Sequence, residues 1–75
     1  MKQHVRPMRI LFADDETSIQ ELMRIELPRL GHEATVCPDG RTALAALDKS
    51  SYDCVIVDLD MPGVGGMDVI ARVRE

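Results

Sequence analysis

Carboxylates directly follow two apolar segments of this 75-residue sequence, and they are the side chains best suited to do chemistry. Asp14 and Asp15 follow the run Arg9–Ala13. Asp58 follows the run Cys54–Val57. An apolar run that ends abruptly in acids is typical of a buried strand ending at a polar edge. If the two strands are neighbours in a parallel sheet, the three carboxylates converge beyond its carboxyl end, where such sheets bind ligands.

Three carboxylates in one cluster repel one another, so a bound cation would stabilise them. Mg²⁺ suits such oxygen ligands because it takes one or two carboxylates and leaves room for a phosphate oxygen. An aspartate can attack phosphorus to form an acyl phosphate, and Asp58 is the best candidate because it follows the most buried strand. Acids before a helix also favour its dipole, so Asp14-Asp15-Glu16 could serve the next helix alone. The residues by themselves leave both interpretations open.

Strand and helix signals alternate three times along the chain. Helix one is predicted to start at a hydroxyl cap on Thr17 or Ser18, and to end or kink at Pro28 before Gly31. The short links are compatible with right-handed crossovers between parallel strands. The predicted fold is α/β, a doubly wound parallel sheet truncated to three βα units, with strand order 2-1-3. The apolar face of helix one is predicted to contain Ile19, Leu22, Met23, Leu27 and Leu30.

The second and third units follow the same logic. Strand two is predicted over residues 32–37, and helix two starts at Asp39, whose side chain can cap it. Strand three, residues 54–57, is apolar at every position, which predicts a strand covered on both faces. One Pro and three Gly predict a loop over residues 59–66, before a third helix that contains Val69.

Composition excludes several classes of function. Acidic residues outnumber basic ones by 13 to 9, and one Tyr and one Phe leave little surface for stacking on bases, so we expect no direct nucleic-acid binding. No apolar run approaches the length of a membrane span, and the polar start does not resemble a signal peptide, so a cytoplasmic location is expected. Cys37 and Cys54 lack metal or redox spacing and are expected to be free thiols.

Three motifs in the expected order resemble the receiver domain of two-component response regulators. They are Asp14-Asp15-Glu16 after the first strand, Val55-Ile56-Val57-Asp58 at the end of the third, and the segment 58–63 with Gly66-Met67 beyond it. The resemblance runs from Met8 to Glu75. It implies a partial receiver domain over residues 8–75, of flavodoxin-like fold, and we expect residues 1–7 to be a disordered leader.

The resemblance also implies roles for individual residues. Asp58 resembles the phosphoacceptor that takes a phosphoryl group from a cognate sensor histidine kinase. Asp14 and Asp15 resemble the acidic pair that binds Mg²⁺, together with Asp58 and the backbone carbonyl of Asp60. A protein of this kind accepts the phosphoryl group on itself and is not a turnover enzyme.

The sequence departs from the family in having no fourth and fifth strands, with the Ser or Thr and the Lys that they carry. Thr42 and Lys49 do not replace them, because both belong to the remote second helix. Strand three would also be an unprotected sheet edge. We therefore expect a truncated product, or a chain that completes its sheet as a homo-oligomer.

Two alternative functions remain. One is a phosphorylation-incompetent fragment that acts as an interaction or dimerisation module through the edge of strand three. The other is a phosphatase, because the pair Asp58 and Asp60 is similar to the nucleophile and general acid of haloacid-dehalogenase-like enzymes. The position of these acids after the third strand, rather than the first, disfavours the phosphatase.

Overall fold

The computed structural model describes residues 6–75, which form a three-stranded parallel sheet with helices on both faces. The strand order is β2-β1-β3, so the predicted α/β fold with order 2-1-3 is confirmed. Of the predicted leader, residues 1–5 lie outside the described residues, and Arg6 and Pro7 are exposed. The elements are β1 (Arg9–Ala13), α1 (Thr17–Arg29), β2 (Glu33–Cys37), α2 (Gly40–Lys49), β3 (Cys54–Val57) and α3 (Gly66–Val73).

Strand β1 lies at the centre of the sheet and supplies the middle of both apolar cores. Side chains alternate between the two faces of a strand, so Leu11 and Ala13 point to one side while Ile10 and Phe12 point to the other. All four are buried. The first side packs against α2 and α3, and the second packs against α1. Every side chain of β1 beyond Arg9 is therefore fixed by packing, which holds the residues that follow the strand in place.

Helix α1 begins at Thr17, as predicted, but without the predicted hydroxyl cap. Its N-cap residue is Glu16, which makes no side-chain capping bond. The side chain of Asp14 instead accepts a hydrogen bond from the Glu16 amide at 2.9 Å, and so it takes over part of the capping role. Pro28 lies in the last turn, and Gly31 follows with a φ of 94°, a conformation that favours glycine.

The face of α1 that meets the sheet differs from the predicted face. Leu22 and Leu30 are exposed, at 46% and 58% of their surface, whereas Gln20 is buried. The contacts to the sheet come from Ile19, Met23 and Leu27, together with Gln20. Because periodicity arguments count apolar residues alone, a glutamine on the buried face carried no signal.

Helix α2 begins at its predicted cap. The Oδ1 atom of Asp39 accepts hydrogen bonds from the backbone amide and the hydroxyl of Thr42, both at 2.7 Å. Helix α3 packs beside α2, and Arg72 of α3 forms an ion pair with Asp48 of α2. Both side chains of that pair are about half exposed, so its contribution to stability is at most about 1 kcal/mol.

Strand β3 forms one edge of the sheet in residues 6–75. All four of its residues pair with β1, but no described strand lies on its other side. The prediction that both faces are covered is wrong for this part of the chain, because Ile56 is 42% exposed.

Within residues 6–75, no helix is long and apolar enough to cross a membrane.

Candidate functional site

The three acids predicted from the strand ends lie together in the structure. Asp14, Asp15 and Asp58 each place a carboxylate oxygen within 4.8 Å of the other two. Asp14 and Asp58 are partly buried, and Asp15 is exposed. The arrangement follows from the strand order, because β1 and β3 are neighbours and run parallel. The carboxyl end of the sheet thus gathers three negative charges into a small volume.

Backbone bonds beyond the strands hold these residues in position. The amide of Asp58 donates to the carbonyl of Ala13 at 2.9 Å, so the pairing of β3 with β1 continues into the acid. The amide of Asp14 donates to the carbonyl of Cys37 at 3.2 Å, which does the same on the β2 side. Each acid is therefore held by a backbone bond to the neighbouring strand, Asp58 to β1 and Asp14 to β2, and is less free than a loop residue.

Two of the carboxylates are oriented by nearby amides. The Oδ1 atom of Asp14 accepts from the Glu16 amide, and the Oδ1 atom of Asp58 accepts from the Asp60 amide at 3.0 Å. An aspartate that bonds to the amide two residues ahead is an Asx turn, a local arrangement that fixes the side-chain torsions. Each of these carboxylates keeps its second oxygen as a ligand atom.

Asp60 does not bring its own side chain into the acidic cluster, which in the described residues consists of Asp14, Asp15 and Asp58. The backbone of Asp60 contributes to the site instead, because its amide donates a hydrogen bond to the Asp58 carboxylate. The role predicted for its carbonyl, as a metal ligand, stays a prediction.

The loop between β3 and α3 is fixed at three points. Met61 is 6% exposed and packs into the core beneath α2 and α3. A Cβ atom added to Gly40, at the start of α2, would overlap the carbonyl of Val64, so loop and helix are in close contact there. A Cβ on Gly66 would lie 2.5 Å from the carbonyl oxygen of Asp58. Gly40 and Gly66 therefore permit close approach of backbone to backbone.

The loop after β1, residues 14–16, is held by Gln20 of α1. Its side-chain Nε2 donates to the carbonyl of Asp14 at 2.8 Å, and its backbone amide donates to the carbonyl of Glu16 at 3.0 Å. Sequence reasoning missed this residue. Its spacing could have identified it. Met23 and Leu27, three and seven residues further on, pack on the sheet, so Gln20 lies on the same helical face and is a polar residue at a core position.

Cys37, at the end of β2, is close to the acids but unsuited to their chemistry. Burial raises the pKa of its thiol, and the negative charge of Asp39 raises it further, while Arg24 acts in the opposite direction. The thiol thus stays neutral near pH 7, when metal binding and nucleophilic attack require the thiolate. Cys37 and Cys54 are both free, as predicted.

The donor set fits Mg²⁺. Hard carboxylate oxygens at separations that one ion can bridge, with one acid exposed, would leave part of the coordination sphere to water. Softer ligands are absent from the cluster found in residues 6–75, which disfavours zinc. Partial burial of Asp14 and Asp58 makes their unpaired charges more costly, and a cation would offset that cost.

Comparison with known proteins settles the family. Residues 10–75 match the family model of the response regulator receiver domain. The chain belongs to this family. Among similar proteins, the receiver domain is 40% identical over 70 residues to the transcriptional regulatory protein TcrA of Mycobacterium tuberculosis. That alignment covers 93% of this chain and 28% of TcrA.

Solved structures agree with this assignment. The receiver domain superposes on the response regulator protein TrrA of Thermotoga maritima, crystallised in complex with Mg²⁺-BeF, with a TM-score of 0.80 and 41% identity. It superposes almost as well on TrrA in complex with the histidine kinase ThkA, with a TM-score of 0.79. In both cases the match covers 88% of this chain and 57% of TrrA. The receiver domain thus spans little more than half of the length of these structures.

Proposed function

We propose that this receiver domain accepts a phosphoryl group on Asp58, from the phosphohistidine of a sensor histidine kinase, in a reaction that requires Mg²⁺. The observation that carries the proposal is the convergence of Asp14, Asp15 and Asp58 within 4.8 Å at the carboxyl end of the sheet. Two solved structures of the similar protein TrrA support it, because TrrA was crystallised with Mg²⁺-BeF and with a histidine kinase.

The proposed reaction is a direct transfer. A carboxylate oxygen of Asp58 attacks phosphorus, the oxygen–phosphorus bond forms, and the phosphorus–nitrogen bond to histidine breaks, with the bonding electrons returning to the imidazole. The Asp60 amide holds the other carboxylate oxygen, Oδ1, and so orients the nucleophile. Asp14 and Asp15, with the backbone carbonyl of Asp60, would hold the ion. Bound Mg²⁺ would offset the negative charge shared by the carboxylate and the phosphoryl oxygens.

The test uses acetyl phosphate as a small phosphodonor, with Mg²⁺, and intact mass spectrometry. We expect a gain of one phosphoryl group that is absent in Asp58→Asn. Asp53→Asn is a matched control, because it makes the same change just before the same strand, at the opposite end of the sheet. No gain by the folded wild-type chain, or equal gain by Asp58→Asn, would disprove the role of Asp58. Continued turnover of acetyl phosphate without stoichiometric labelling would support a phosphatase instead.

A second candidate function is an interaction module that pairs through the edge of β3, on which no strand of residues 6–75 lies. The observation that favours it is the exposure of apolar side chains there, since Ile56 is 42% exposed and the neighbouring Leu59 is 59% exposed. An unpaired, uncharged strand edge is a template for pairing with a strand of another chain. The proposed partner is a second copy, which pairs β3 with β3.

Sedimentation at micromolar concentration tests the second candidate. We expect wild type to sediment as a dimer or larger species, and Ile56→Lys, which places a charge beside the edge, to sediment as a monomer. A stable wild-type monomer would disprove this function and leave the phosphoacceptor proposal intact.

A further inference from the structure

The side chain of Gln20 is unusual in the described chain, because it is polar and yet 8% exposed. It lies on the face of α1 that packs against the sheet, with Leu27 two turns further along the helix. A buried amide without hydrogen bonds would destabilise the fold. Its Nε2 donates a hydrogen bond to the carbonyl of Asp14 at 2.8 Å. This bond satisfies the buried donor.

The carbonyl that Gln20 binds belongs to the peptide group that joins Asp14 to Asp15. A peptide group is planar and rigid, so a bond to its oxygen fixes the orientation of the whole plane, including the Cα atoms of both acids. The backbone amide of Gln20 donates to the carbonyl of Glu16, but this is the ordinary first-turn bond of α1 and does not depend on the glutamine side chain. The side chain of Gln20 therefore attaches the acidic loop, residues 14–16, to α1 at the peptide between the two acids.

The acidic loop needs such support. Asp14, Asp15 and Asp58 are like charges whose oxygens lie within 4.8 Å, so without a cation they repel one another and favour a more open loop. A glutamine can oppose that opening without a charge of its own. A lysine or arginine in its place would add a positive charge and compete with a bound cation.

We propose that Gln20 is a positioning residue, which keeps Asp14 and Asp15 in the geometry that binds Mg²⁺. The inference rests on the proposed function, because it assigns Gln20 a task at the same site. Residues that orient metal ligands change the affinity for the metal by about 10-fold to 100-fold when they are replaced.

The test compares Mg²⁺ affinity in three proteins by calorimetric titration. Gln20→Met removes the donor and preserves length and burial. Tyr52→Phe is the matched control, since it removes a partly buried hydrogen bond, from the Tyr52 hydroxyl to Thr35 in the middle of β2 at 3.3 Å, that involves no residue of the acidic cluster. We expect Gln20→Met to bind Mg²⁺ at least about 10-fold more weakly, and Tyr52→Phe to bind like wild type.

Hydrogen exchange without metal gives a second readout. We expect faster exchange of the Glu16 amide in Gln20→Met, because that amide bonds to the Asp14 side chain in the loop that Gln20 holds. Unchanged Mg²⁺ affinity in Gln20→Met, or the same loss in Tyr52→Phe, would overturn the positioning role alone. A wild-type chain that binds no Mg²⁺ would overturn the proposed metal requirement and the positioning role together.

Discussion

Replacing Gly66 by alanine should displace the residue that we propose as phosphoacceptor. The added Cβ would lie 2.5 Å from the carbonyl oxygen of Asp58 and 2.8 Å from the Cα of Leu59. Ordinary contact begins at 3.4 Å, so the backbone of the loop must retreat by 3.4 − 2.5, or about 0.9 Å. The obstacle is backbone on both sides, which cannot rotate away as a long side chain can.

The expected magnitude follows from two opposing effects. Overpacking of this kind destabilises by about 1–3 kcal/mol. Alanine is a better helix former than glycine by up to about 1 kcal/mol, which offsets part of that loss. We expect a net loss of about 1–2 kcal/mol in the free energy of unfolding. A reacting group misplaced by about 1 Å slows a reaction by roughly 100-fold, so the initial rate of phosphorylation should fall far more than the folded fraction does.

Gly65→Ala is the matched control for this experiment. Gly65 has a φ of −87°, which alanine adopts without strain, and its added Cβ would meet its nearest neighbour, the carbonyl of Met61, at 3.6 Å. Labelling by acetyl phosphate, followed by mass spectrometry, and urea unfolding followed by circular dichroism give the two quantities. Wild-type labelling in a folded Gly66→Ala, or an equal loss in both variants, would refute the close-approach argument.

Three further outcomes test the structure. Hydrogen bonds from Thr42 hold the pKa of Asp39 below its usual value. This carboxylate therefore stabilises the fold above the unfolded pKa of about 3.9, and the stabilisation is lost as pH falls through the folded pKa. In urea unfolding, the difference in unfolding free energy between wild type and Asp39→Asn should become smaller on acidification, and a constant difference would contradict this. Met61→Ala should lower the free energy of unfolding by about 2–5 kcal/mol, and a loss below about 1 kcal/mol would show that the loop is not anchored there. Native Cys37 should react with iodoacetamide more slowly than Cys54, because burial raises the pKa of its thiol; equal rates before urea is added would argue against its burial.

Much of the fold could be predicted because its determinants are local. The span of β1 follows from an apolar run bounded by charges, and the start of α2 follows from Asp39, whose short side chain caps a helix in most contexts. Strand order then places the acids at one edge, so the convergence of Asp14, Asp15 and Asp58 needs no knowledge of side-chain positions.

Other features depend on contacts between distant residues. The hydroxyl cap predicted at Thr17 is absent because Thr17 is already the first residue of α1 and Glu16 takes the N-cap position. Helix α3 begins at Gly66, earlier than the glycine count suggests, because the Asp68 side chain accepts from the Gly65 amide at 3.1 Å. The burial of Gln20 depends on a carbonyl that sequence patterns do not locate.

The sheet separates the molecule into two helical layers, and at its carboxyl end each layer touches a loop that carries an acid of the cluster. Helix α1, on one face, contacts the peptide after Asp14 through Gln20. Helix α3, on the other face, begins against the carbonyl of Asp58 at Gly66. A change of charge among the three acids would therefore act directly beside contacts of both helical layers, without first rearranging the apolar core.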